Sequence, residues 1–321
     1  MCPSHGKHKT LTSRPNHWLR MSWGLTCWLL CSLLVPTMAW PPLWWQAVHG
    51  YDGTKPWNSY MTYTAAFFGP NAMPVFETLD ARTLKTHRID VASDVFWGFG
   101  DQTQSISAQI NYMLWPGRVV VSGWGTLVEH YKTTMAIRDI RASTVESGEQ
   151  TFIIGDLYLS TQVRIVEEAK YRPDLKIEWV LKTASSNTSA GARNFDTPGY
   201  ALRGAVGKSW IRPQAFVQEL RLVGNVGFLS YQLNNHQQND ASTGALQVQL
   251  RRNHLTWSNE AAGYYGWTDK GDRPMVLRSK LTYGNGPLKY YVQYQHALHD
   301  YPFRRVQAGV GFDLYPKNKD R

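Results

Sequence analysis

From Asp90 onward, apolar and polar residues alternate with period two. In Ser105–Leu114, residues Ile106, Ala108, Ile110, Tyr112 and Leu114 share one face, and Ser107, Gln109 and Asn111 share the other. Leu246, Val248 and Leu250 oppose Gln247, Gln249 and Arg251; Met275, Leu277, Leu281 and Tyr283 oppose Arg278 and Lys280. Near the end, Val306, Ala308, Val310, Phe312 and Leu314 oppose Arg305, Gln307 and Asp313. Period two is the mark of a strand with two unlike faces, and no helix-period segment of similar length competes with it. The pattern predicts about twelve strands, at 90–101, 105–114, 118–131, 150–163, 173–184, 200–210, 214–232, 243–252, 254–264, 274–284, 287–297 and 304–315.

The links between these strands fall into two alternating kinds. Short ones occur at Trp115-Pro116-Gly117, Ile211-Arg212-Pro213, Arg252-Asn253 and Gly284-Asn285-Gly286; longer polar ones occupy 132–149, 185–199, 233–243, 265–273 and 298–303. The links 102–104 and 164–172 depart from the alternation in length. An even number of strands, with short turns on one rim, long loops on the other and both chain ends on the short-turn side, describes a closed antiparallel membrane β-barrel. The fold class is therefore all-β. In the segment LKIEWVLKT, the face carrying Leu175, Ile177, Trp179 and Leu181 is expected to meet lipid, and the face carrying Lys176, Glu178 and Lys182 a watery lumen. No helical pattern elsewhere could cover the outer faces of so many strands, and closure leaves no edge unpaired. Trp97, Phe99, Trp115, Tyr131 and Tyr315 lie toward strand ends, as an interfacial girdle requires.

The stretches LKTASS (181–186), FDTPGY (195–200), QQNDA (237–241), GDRPMVLRSKL (271–281) and HDYPFRRVQAGVGFDL (299–314) resemble loop and strand motifs of Gram-negative outer-membrane β-barrels. The resemblance spans about residues 90 to 315 and implies fold and location, with outer-membrane lipid, lipopolysaccharide and the barrel-insertion machinery as partners. It supplies no solute. Six residues, Pro316 to Arg321, follow Tyr315, so the terminal aromatic usual in such barrels would be an internal one, Phe312 or Tyr315.

Upstream, Lys7, Lys9, Arg14 and Arg20 precede the apolar run LTCWLLCSLLV (25–35), which is followed by Pro36, Thr37, Met38 and Ala39. A basic start, a short apolar run and small residues before position 40 predict a cleaved secretory signal peptide over 1–39, with Met21 an alternative start. Cys2, Cys27 and Cys31 all precede that cut, so the exported chain would hold no disulfide and would depend on barrel closure instead. Net charge is +10; all 24 acidic but only 30 of the 34 basic residues follow residue 39, leaving +6. No dense Lys/Arg cluster suggests nucleic acid, and anionic headgroups suit the excess better. Residues 40–89, with WPPLWW and AAFFGPNAMPVF, are expected to form a periplasmic lead-in or a plug. Residues 316–321 form a tail.

Two constellations bear on function. Asp94, Asp174, Lys176, Glu178, Lys182 and Glu219, with Arg221, Arg251, Arg278, Lys280, Arg305 and Asp313, fall on the predicted lumen face, as does Asp156. Such charges either pair and brace a narrow barrel, or line a path for a polar or anionic solute through a surplus of base on the late strands. At the outer rim, Asn235, His236, Gln237, Gln238, Asn239 and Asp240 are similar to the Asn-His-x-Ser-Asn-Gly stretch of outer-membrane phospholipase A. Gln238 stands where that family has serine, and an amide cannot serve as the nucleophile. No cofactor motif and no metal-ligand spacing is present, and His296 and His299 are placed on opposite faces. The sequence thus predicts a channel or binding barrel for small polar or anionic solutes. A lipid-acting enzyme and a sealed structural barrel are the alternatives.

Overall fold

The computed structural model describes residues 43–60, 65, 68–141, 143, 145–187, 193, 197–233, 238–268 and 271–314. Thirteen strands follow one another: β1 (His87–Gly98), β2 (Asp101–Trp115), β3 (Val119–Thr133), β4 (Glu149–Ile153), β5 (Leu157–Val166), β6 (Asp174–Lys182), β7 (Gly199–Ile211), β8 (Glu219–Gln232), β9 (Gln238–Arg252), β10 (Leu255–Tyr265), β11 (Met275–Asn285), β12 (Leu288–His299) and β13 (Arg304–Leu314). Two short helices, α1 (Leu43–His49) and α2 (Met135–Ile140), complete the regular structure of the described residues, with one 3₁₀ turn at Trp57–Tyr60. Twelve strands form one antiparallel ring in which β1 pairs with both β13 and β2, and β2 pairs with β3, so the sheet closes on itself. The short β4 stands outside the ring, paired only with the end of β3 among the described residues.

Ring strands of 9 to 15 residues suffice to cross a bilayer when tilted. Their alternation is regular: β6 runs buried, exposed, buried along its whole length, with Trp179 63% exposed and Glu178 2% exposed. Leu175, Ile177 and Leu181 share the outer face with Trp179, as do Ile106, Ile110, Tyr112 and Leu114 on β2 and Val306, Val310, Phe312 and Leu314 on β13. A continuous apolar belt of this kind is covered by hydrocarbon rather than by water. No helix among the described residues is long and apolar enough to cross a membrane. Phe312 faces outward on the last strand; Tyr315 lies outside the described residues.

Turns at one end are short. Trp115-Pro116-Gly117-Arg118 closes with the Arg118 amide donating to the Trp115 carbonyl at 2.9 Å, and Gly117 takes φ +67°, open to residues without a Cβ. Asn253, φ +51°, turns β9 into β10.

Among the strand boundaries that differ from the sequence reading, four have a clear local cause or consequence. The expected strand 150–163 is broken at Ile154–Asp156, because Gly155 lies against Thr126 and Asp156 turns inward to accept from the Ser185 and Ser186 amides. The strand expected from 214 begins at Glu219, since Pro213–Gln218 forms a wider turn closed by the Arg212 amide on the Gln218 carbonyl at 2.8 Å. β9 begins at Gln238, five residues early, so Asn239 and Asp240 belong to a strand rather than a loop. The link expected at 102–104 is instead the tight turn Phe99–Gly100, both at positive φ.

Candidate functional site: the lumen and the segment that crosses it

Inside the ring lies a stretch of the chain's own N-terminal part. Residues 70 to 82 touch inward side chains from strands all around the wall. The Tyr301 hydroxyl donates to the Pro70 carbonyl (2.6 Å), and the Asn71 amide to Glu129 on β3 (2.5 Å). Midway, Arg278 on β11 donates to the Val75 carbonyl (2.6 Å) and Arg203 on β7 to the Glu77 carbonyl (2.8 Å). The Thr78 amide donates to Glu260 on β10 (3.0 Å), and Leu79 exchanges two hydrogen bonds with the Asn225 side chain on β8, at 2.7 and 3.0 Å. Lower still, Asp80 pairs with Arg221 (2.7 Å), Arg82 pairs with Glu219, and Lys176 donates to the Arg82 carbonyl. The apolar residues of this stretch pack against the inner wall: Phe68, Ala72, Met73 and Val75 join Leu229, Tyr231, Tyr264, Tyr301 and Phe303 in one buried cluster. An irregular backbone needs such partners, because its amides and carbonyls have no ladder of their own.

The sequence-selected lumen residues divide by height. Asp94, Lys176, Glu178, Arg278, Lys280 and Arg305 line the central cavity. Asp174, Glu219, Arg221, Arg251 and Asp313 gather toward the short-turn end, and Lys182 sits at the long-loop end, paired with Asp156 at 2.6 Å and donating to the Thr197 carbonyl. Arg221, fully buried, bridges Asp80, Glu168 (3.1 Å) and Asp174 (3.2 Å). The four late-strand bases all have acidic partners: Arg251 with Glu219 (2.7 Å), Arg278 with Glu260 (2.6 Å), Lys280 with Glu77 (4.0 Å), and Arg305 with Glu77 (2.9 Å) and Asp94 (3.7 Å).

Arg203 and Glu260 were not singled out from the sequence, although their parity on β7 and β10 points them inward; Arg203 pairs with Glu178. Glu77, Asp80 and Arg82 lie where no periodicity marks them. A second network at the long-loop end joins Asp101, Glu129, Arg141 and Arg193, with Arg141 on Asp101 at 2.5 Å and Arg193 on Glu129 at 2.7 Å.

Around the crossing segment remains a cavity of about 570 Å³. Its wall carries seven acidic and seven basic side chains, interspersed with glutamines such as Gln109, Gln247, Gln249 and Gln293 and with serine and threonine hydroxyls. Trp124 and Tyr158 stack on its edge with ring centroids 5.4 Å apart.

Of the outer-rim constellation, the described residues are Gln238, Asn239 and Asp240. Asn235 and His236 lie outside the described residues. The Asn239 side chain is buried, accepting from the Trp267 amide (2.9 Å) and donating to Asp272 (3.3 Å); Asp240 accepts from Gln238 (2.6 Å). No group of three or more potential metal ligands occurs among the described residues.

No protein family and no curated protein matches the sequence. Solved structures do match in fold. An outer membrane channel from Pseudomonas putida F1 superposes with a TM-score of 0.51 at 10% identity, over 74% of this chain and 99% of that one. The fold is that of an outer-membrane β-barrel. The KdgM porin in complex with disordered oligogalacturonate (TM-score 0.44, 10% identity, 71% and 99% covered) and the NanC porin (0.45, 11%, 70% and 100%) are also similar, at a level that adds nothing to the argument.

Proposed function

We propose that this outer-membrane-type barrel passes or binds small, uncharged polar solutes in its lumen. The observation that carries this reading is the balance of charge around the cavity: acids and bases occur in equal number, and the bases that could have formed an anion path are engaged by carboxylates. A wall with no net charge sets up little field for selecting ions of one sign. What it offers a solute is amide and hydroxyl groups beside the Trp124–Tyr158 stack, suited to hydroxyl-rich molecules with one apolar face. Residence in the outer membrane, with export by a cleaved signal peptide and contact with lipopolysaccharide and the insertion machinery, belongs to the same proposal. It is supported by the apolar belt and the short-turn, long-loop asymmetry.

The test is conductance of the full chain in a planar bilayer under a KCl gradient, followed by addition of neutral sugars and of sugar acids. Expected are measurable conductance, a reversal potential near zero, and stronger current block by neutral than by acidic sugars. A reversal potential close to that of an anion-selective pore would refute the solute class. Silence at all voltages, with β-structure verified by circular dichroism, would refute passage and favour a barrel sealed by residues 70 to 82.

A further inference from the structure

The segment inside the barrel has a direction, and that direction fixes which mouth its N-terminal end reaches. Its contacts descend in order. Pro70 meets Tyr301 in the connection between β12 and β13, at the long-loop end, and Asn71 meets Glu129 beside Arg193. Val75 to Leu79 meet the middle of the wall, and Arg82 meets Glu219, the first residue of β8, at the short-turn end. The chain then reverses into β1 at His87. The N-terminal end of the segment, Pro70 with Asn71, therefore stands at the long-loop mouth.

Residues 43–60 are found at that mouth. The Arg138 guanidinium of α2, in the connection from β3 to β4, stands over the Trp44 ring at 4.2 Å. This stretch also holds itself together. Trp45 is fully buried among His49, Tyr51, Trp57 and Tyr60, with ring centroids 4.6 to 6.3 Å away, and the Asp52 carboxylate accepts from the Thr54 amide, the Thr54 hydroxyl and the Tyr60 hydroxyl. It is a knot of aromatic rings on the end of a strap.

The geometry points to an N-terminal strap threaded through the lumen from outside to inside, with residues 43–60 displayed on the external mouth of the barrel as a tethered cap. In membrane barrels the long loops face outward and the short turns the periplasm, so the long-loop mouth is the external one. The knot and the reversal into β1 at His87 bracket the strap, one at each mouth. A solute approaching from outside meets the knot before it meets the cavity. The barrel must also close around a segment that has already crossed its lumen, or pass that segment outward before the knot compacts. This inference concerns the path of the chain and is independent of which solute the cavity takes.

The experiment is cysteine accessibility in intact Gram-negative cells producing the full chain. The parent carries serine at Cys2, Cys27 and Cys31, the only cysteines in the sequence. Three single variants place a thiol on the knot (Lys55→Cys), on a long loop (Glu146→Cys) and on a short turn (Gln214→Cys); all three positions are exposed. A membrane-impermeant maleimide is applied before and after the outer membrane is opened. Threading predicts that positions 55 and 146 label in intact cells, while position 214 labels only after opening. Labelling of position 55 only together with 214, after opening, overturns the proposal. So does intact-cell labelling of 214 with 55 and 146 silent, which would place the knot on the periplasmic side. Heat-modifiable migration of each variant on gels shows that the barrel has folded and keeps the comparison valid.

Discussion

Trp179 and Glu178 are adjacent, yet one is mostly exposed on the belt and the other is sealed inside, paired with Arg203. Replacing Trp179 by arginine sets a charge in hydrocarbon and is expected to cost about 2–4 kcal/mol near mid-membrane. Urea-dependent refolding into vesicles measures this, and an unchanged midpoint would reverse the assignment of faces. Inside, Arg278 holds Glu260 and two carbonyls of the strap. Arg278→Met leaves a buried carboxylate without its partner, with an expected loss of about 3–5 kcal/mol. Adding Glu260→Gln should recover part of it, because the stranded charge goes with the carboxylate. Equal stability of the single and double variants would show that the strap carbonyls, rather than Glu260, carry the loss. Parity made the inward position of Arg278 legible in the sequence. Its partners were not legible, because period two gives the side of the wall and says nothing of which neighbours around the ring approach each other.

At the scale of elements, the strap and the short-turn connections share one electrostatic junction. Partial burial pushes the Glu168 carboxyl up, but hydrogen bonds from the Ser209 amide and hydroxyl, with Arg221 and Lys208, more than offset this and hold it below the usual glutamate range. A lowered folded-state value means that the stabilisation is complete above the ordinary glutamate value near 4.5 and is lost as pH falls through the folded one. Melting temperatures measured from pH 6 to pH 3 should therefore fall less steeply for Glu168→Gln than for the parent; parallel slopes would remove Glu168 from the acid response. The strap is fastened at the same end by Asp80 on Arg221 and Arg82 on Glu219. The double variant Asp80→Asn, Arg82→Gln should raise single-channel conductance several-fold if this end is the constriction. Unchanged conductance would place the constriction nearer Phe76, Arg203 and Arg278. None of this junction could be read from residues 40–89, whose aromatics and prolines follow no period.

For the whole molecule, the ring explains how a cysteine-free barrel chain holds together: each ring strand is paired on both sides and no edge of the ring is left open. Closure of twelve strands leaves a lumen wide enough for one strap and a cavity beside it. The sequence by itself determined the strands, their approximate number and which side chains face lipid, because pleating ties each face to alternate residues along the chain. The tertiary structure alone decided that the charges around the cavity balance, that Asn239 lies buried at the start of a strand, and that residues 70 to 82 run through the barrel. Those outcomes depend on contacts between residues far apart in the chain, 58 positions for Asn71 with Glu129 and 231 for Pro70 with Tyr301. No local periodicity records such contacts; they arise only when the ring closes and brings opposite walls within reach of one strap.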